Sequence, residues 1–225
     1  MKALISAVFT IFLAANVFAQ LDGNPENWCR NGAFPRESES YEIAKIKGNK
    51  GEKVYFYNDF EEDCPNNEKC REKSYIIPND EVIVSRRYGN WICAWYQPKK
   101  GSETVGWIRA DKVEFIKIKQ SFNDIFGSWY FYDNDIEIKK DVKTNGFKVT
   151  GNAFWKGLGD NVHTGELDHE GRMSDGILKL GEDETDEYAC RVSIILLGKF
   201  LIVSDNLNCG GANVSFSGVY QKNKK

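Results

Sequence analysis

Residues 88–108 read YGNWICAWYQPKKGSETVGWI and hold three of the chain's six tryptophans. Two apolar runs, WICAWY (91–96) and TVGWI (104–108), flank the turn-rich stretch QPKKGSE. Runs of this length, rich in aromatic and β-branched residues, read as strands, and the Pro and Gly between them read as a hairpin loop. Side chains alternate along a strand, so Trp91, Cys93 and Trp95 share one face while Ile92, Ala94 and Tyr96 share the other. Both faces are apolar, which predicts a strand covered on both sides. A buried tryptophan removes about 150–250 Å² from water, roughly 4–6 kcal/mol at about 25 cal/mol per Å². Most of these aromatic residues are therefore expected in the core. The functional alternative is an aromatic shelf for a peptide or sugar, with Tyr57, Tyr88, Trp95 and Trp107 as its candidates.

The same short-run pattern extends in both directions. YEIAKI (41–46), KVYFY (53–57), SYIIP (74–78) and EVIVSRR (81–87) precede the quoted stretch, and VEFIKI (113–118) follows it. A second series runs through GSWYFY (127–132), IEIKK (136–140), GFKVTGNAFW (146–155), VHTGEL (162–167), ILKL (177–180), YACRVSIILL (188–197), KFLIVSD (199–205) and NVSFSGVYQ (213–221). The breaks are Gly, Pro, Asn, Asp and charged residues, each able to turn the chain, and no segment sustains a helical period. The fold expected is all-β, with two small β-barrel or sandwich domains over residues 41–119 and 120–225. Closure would remove the open edges that invite pairing between chains.

Residues 1–19 combine Lys2, an apolar run from Ala3 to Ala15 and small residues before Gln20, the pattern of a secretory signal peptide. The run is too short to span a bilayer, and no later one approaches the length required, so no membrane span is expected. Residues 20–40 read as a polar leader. The protein is accordingly expected to be exported, either periplasmic or secreted. Six cysteines in an oxidising compartment read as disulfides. Pairing within each half leaves three connectivities, of which Cys29 with Cys93, Cys64 with Cys70 and Cys190 with Cys209 is favoured. Residues 20–121 hold 17 basic and 17 acidic side chains, and residues 122–225 hold 12 and 16. Neither half carries the basic stripe that phosphate binding requires, so nucleic acid is not an expected partner.

Residues 80–116 resemble the second half of a bacterial SH3-like (SH3b) domain. The likeness rests on the strand start Gly89-x-Trp91, the turn that follows, the Gly106-Trp107-Ile108 step and the short final strand. It extends over roughly residues 41–116, with DFEEDCPNNEKCREK as an insertion at the edge of any groove. The resemblance implies a small β-barrel that binds a cell-wall peptide or a protein partner without catalysis. In the second half, Gly127-Ser-Trp129 resembles the opening of lipocalin-like barrels, and the size resembles small exported lysozyme-inhibitor barrels. These likenesses imply, as alternatives, an inhibitor of or immunity protein against a cell-wall hydrolase such as lysozyme, or a carrier of a small apolar molecule.

Catalytic chemistry finds little support. Cys209 lies between two β runs with no helix to lower a thiol pKa, and SFSG is not a nucleophile elbow. His163 and His169 share a strand parity opposite to Glu166 and Asp168, so a strand would split a metal or acid–base set. No Cys-x-x-Cys occurs, and no cofactor or metal is expected. The run Glu182, Asp183, Glu184, Asp186, Glu187 lacks the glycine and spacing of a calcium loop. As a negative patch it is a candidate for steering a basic partner.

Overall fold

A computed structural model describes residues 25–36, 38, 40–142, 144, 146–181 and 186–222. The signal-peptide expectation for residues 1–19 and the acidic residues Glu182, Asp183 and Glu184 lie outside the described residues. The protein is all-β, with fifteen strands among the described residues, arranged in two antiparallel sheets. No helix among the described residues is long and apolar enough to cross a membrane.

The first sheet contains β1 (Glu42–Ile46), β2 (Val54–Tyr57), β3 (Arg71–Ile76), β4 (Glu81–Tyr88), β5 (Trp91–Tyr96), β6 (Thr104–Arg109) and β7 (Val113–Phe115), in the order β3-β2-β6-β5-β4-β1-β7. One core draws on all seven: Ala44, Val54, Phe56, Ile76, Val84, Ile92, Ala94, Ile108 and Val113 meet in a single cluster. Both edge strands contribute, so the sheet curls around this core. Two glycines explain the Gly-Trp pattern. Gly89, at φ +55°, closes the β4–β5 hairpin in the left-handed region that suits glycine. A Cβ on Gly106 would lie 3.0 Å from the Tyr57 carbonyl and 3.2 Å from the Phe56 ring, so its absence lets β2 approach β6. The ends of the sheet stay open, and Arg71, Glu72 and Lys73 charge the β3 edge against pairing with another chain.

The second sheet contains β8 (Gly127–Phe131), β9 (Asn134–Lys140), β10 (Phe147–Lys156), β11 (Val162–Ser174), β12 (Ile177–Leu180), β13 (Val192–Leu197), β14 (Phe200–Asp205) and β15 (Gly218–Gln221). Each strand pairs with the next, and Gln221 meets Tyr130 to close an eight-stranded barrel. Trp129, Ile136, Ile138, Val149, Leu167, Ile194, Val203, Phe216 and Tyr220 fill its interior. That is the space a carried molecule would need.

Two boundaries differ most from the sequence reading. β11 continues through DHEGRMS, a stretch expected to turn, because β10 and then β12 supply backbone partners along it. β15 starts only at Gly218, because buried Asp205 captures the preceding segment. Its carboxylate accepts from Ser215 Oγ at 2.8 Å, Phe216 N at 2.8 Å and Ser217 Oγ at 2.7 Å.

The two sheets share a third core. Trp91, Cys93, Trp95 and Trp107 on the first pack in one cluster with Leu197, Phe200, Ile202 and Val219 on the outside of the barrel. The connector joins in: Gln120 donates to Leu196 O at 3.1 Å and accepts from Gly198 N at 2.7 Å. Lys199 pairs with Glu81 at 2.7 Å across the same junction.

Candidate binding face

The parity of β5 decides where the tryptophans go. Ile92 and Ala94 enter the core of the first sheet, and Trp91, Cys93 and Trp95 turn to its outer face beside Trp107. That face is an aromatic surface, and most of it is sealed by the chain's own segments.

Trp95 is 4% exposed and meets Phe200 of the barrel edge-on, with ring centroids 5.4 Å apart. Trp107 is fully buried, and its indole N–H donates to the Asn27 carbonyl at 2.6 Å. The seal at Trp107 comes from the leader, whose Cys29 and Phe34 join the cluster. The bridge Cys29–Cys93 fastens the leader directly to β5. Asp59 holds it from the other side, accepting from Cys29 N at 2.7 Å and Arg30 Nε at 2.9 Å. Asn27 also reaches the insertion, donating to Cys64 O at 2.7 Å. Within that insertion Cys64–Cys70 forms the second bridge, and Asn66 accepts the Trp91 indole N–H at 2.9 Å. The third bridge, Cys190–Cys209, ties two loops of the barrel together. All three pairs are those favoured from the sequence.

Tyr57 and Tyr88 occupy different ground. In strand order they flank Trp107 and Trp91, Tyr57 on β2 and Tyr88 at the end of β4, and both are half-buried. Tyr57 packs 4.6 Å from the Trp91 ring and donates to Glu68 at 2.9 Å. Its pKa is raised, first by burial and then by that carboxylate. Tyr88 lies 6.0 Å from Trp107. The four shelf candidates thus share one face, but Trp95 and Trp107 are covered while Tyr57 and Tyr88 stand at the open margin.

Beyond Tyr57 the face continues into residues the sequence reading passed over. Tyr55 meets Tyr75 across β2 and β3 at 5.8 Å, with Arg71 over the Tyr55 ring at 5.0 Å and Lys53 over the Tyr75 ring at 4.2 Å. Arg109 lies over Trp91 at 5.4 Å. The signal was present in VYFY, where parity places Tyr55 beside Tyr57.

The remaining candidates are dispersed. Asp186 and Glu187 are exposed near the Cys190–Cys209 bridge, and Asp186 accepts the Tyr188 N–H at 2.9 Å. On β11, Glu166 and Asp168 face outward while His163 and His169 keep the opposite parity. His163 rests against Trp155 and pairs with the Ala212 carbonyl, and Asp168 pairs with Lys148, so they do not form an acid–base set. Among the described residues the one cluster of metal-ligand type is Asp63, Cys64 and Cys70, whose sulfurs are joined in a disulfide.

No protein-family model matches this sequence, and no curated protein and no solved structure matches it either.

Proposed function

We propose that this chain is an exported, non-enzymatic binding protein. In this reading its first sheet is the SH3-like module that Gly89-x-Trp91 and Gly106-Trp107 resemble, and it binds a cell-wall peptide or a protein partner. The observation that carries the proposal is the open margin of the aromatic face. Tyr57 and Tyr88 remain half-exposed on either side of the sealed tryptophans, and Tyr55, Tyr75, Arg71 and Lys53 extend the margin with rings and cations. Aromatic planes hold the apolar parts of an extended chain, and the cations suit its carboxylates. Three disulfides support export, since such bridges persist in oxidising compartments. Co-sedimentation with purified sacculi tests the cell-wall version. The protein is expected to leave the supernatant, and a Tyr57→Ala/Tyr88→Ala variant that is folded by its far-UV spectrum is expected to remain in it. No depletion of the unmodified protein at micromolar concentration sinks the cell-wall version.

A second reading, inhibition of a cell-wall hydrolase, is favoured by the tip of the β10–β11 hairpin. Leu158 there is 97% exposed, with Phe154 and Val162 exposed below it. A projecting apolar residue at a hairpin tip suits insertion into a partner's cleft as an aliphatic anchor. Lysozyme that keeps full activity in large molar excess of the protein rules out inhibition of that enzyme. If inhibition is seen, Leu158→Asp is expected to abolish it.

A further inference from the structure

Where the first sheet meets the barrel, a half-enclosed cavity of about 140 Å³ opens between the β5–β6 loop and the β8–β9 turn. Three consecutive aromatic residues, Tyr130, Phe131 and Tyr132, line it from the barrel, and Gln97 and Glu103 line it from the first sheet. The rings are held in place by unusual means. Phe131 lies flush on β15: a Cβ on Gly218 would fall 2.5 Å from its ring, so only glycine leaves room. Phe131 and Tyr132 stand at 64° with centroids 4.8 Å apart, two adjoining walls of a corner.

Tyr132 is the odder residue. It occupies the tight turn between β8 and β9 at φ +52°, where glycine or asparagine is the usual choice and an aromatic side chain is strained. Such strain persists where the surroundings enforce it and concentrates at functional sites. The surroundings here are Glu103, whose carboxylate accepts the Tyr132 hydroxyl across the junction. Tyr132 is 60% exposed and so forms the outer lip of the cavity, and the part of it that is covered, together with Glu103, raises its pKa, so the hydroxyl keeps its proton and its bond near neutral pH. No lysine or arginine is among the described residues that line the cavity.

We propose that this cavity between the first sheet and the barrel is a binding site for a small organic ammonium cation, with Phe131 and Tyr132 as its walls and Glu103 as its counter-charge. A cation gains from the negative faces of the rings and from the single carboxylate, whereas a neutral molecule of the same shape gains only from burial. The cavity has room for one ammonium head group. The site is independent of the aromatic face on the first sheet.

The test compares choline with 3,3-dimethylbutanol, its neutral isostere, by NMR titration of aromatic signals in the protein carrying residues 20–225. Choline is expected to give saturable shifts at Tyr130, Phe131 and Tyr132 and to bind at least about fivefold tighter than the alcohol. Glu103→Gln is expected to cut the choline affinity by about fivefold or more, while Glu114→Gln on the distant β7 leaves it unchanged. Absence of saturable shifts up to about 50 mM choline, equal binding of the isostere, or a Glu103→Gln variant that is folded by its spectrum and binds unaltered, would each overturn the proposal.

Discussion

The two sheets solve the same problem in different ways. The barrel closes through β15 and β8, so its inner face is covered by itself and its backbone has no free edge. The first sheet stays open at β3 and β7 and carries apolar side chains on both faces. Curling covers the inner face. The outer face is covered from elsewhere, by a leader clamped through Cys29–Cys93, by the bridged insertion and by Phe200 of the barrel. A face covered from outside can be left partly open, and the margin at Tyr57 and Tyr88 is the part left open. The contrast teaches that the exposed aromatic margin is what remains of a hydrophobic face once the chain has covered the rest, and it is this remainder that the proposed function uses.

The comparison can be broken most severely at the sealed centre. Trp107→Ala should destabilise the protein by about 3–5 kcal/mol in urea unfolding, since it empties a fully buried site beneath the leader. A cost near zero would mean that the leader does not cover Trp107 in solution. Next comes the clamp. A Cys29→Ser/Cys93→Ser variant should lose roughly 4 kcal/mol by the loop-entropy relation, against roughly 3 kcal/mol for Cys190→Ser/Cys209→Ser, because the first bridge spans 64 residues and the second 19. The reverse order would show that the leader contributes less than the barrel's loop bridge.

Smaller effects sharpen the contrast. Burial holds the Tyr220 pKa far above its ordinary value, and the hydroxyl donates to Phe216 O at 2.9 Å within the barrel. A tyrosine that binds its proton more tightly when folded contributes stability that is complete below the unfolded pKa, near 10, and is lost as pH rises above it. Melting temperature followed from pH 8 to about 11 should therefore fall at the alkaline end, and Tyr220→Phe should flatten that fall after an initial cost of about 1 kcal/mol. An unchanged alkaline slope in the variant would move the sensitivity to Tyr57, Tyr96 or Tyr132, whose pKa values are also raised. Least costly of all, Tyr57→Ala should lower stability by no more than about 1 kcal/mol. A loss as large as that of Trp107→Ala would place Tyr57 in the sealed centre and remove it from the margin.

Much of this was legible in the chain, and for identifiable reasons. Each of the fifteen apolar runs overlaps a strand, because a run bounded by turn residues has few other ways to bury its side chains. The parity of WICAWY correctly separated Trp91, Cys93 and Trp95 from Ile92 and Ala94. Confining partners to each half fixed Cys190–Cys209 and left three arrangements of the other four cysteines, of which the favoured one is observed. Less was legible about the site. Trp95 and Trp107 share a face with Tyr57, and parity cannot tell which residues of one face are covered by a distant segment. A hint lay in SIILL and FLIV, which do not alternate and so mark barrel strands that are apolar on the outside as well. The turn expected at HEGR failed because pairing with β10 and β12 outweighed local preference.

By itself the sequence determined the class of structure, the strands and their two-faced character, and the Cys190–Cys209 pair. These depend on side-chain period, turn chemistry and chain proximity, all of which are local. Only the tertiary structure decided that the leader and the barrel would cover Trp107 and Trp95, and that Tyr132 and Glu103 would meet across the junction. Glu103 and Tyr132 are 29 residues apart, and Trp107 and its acceptor Asn27 are 80 apart. Contacts of that range follow from how two sheets pack, which no window of sequence contains.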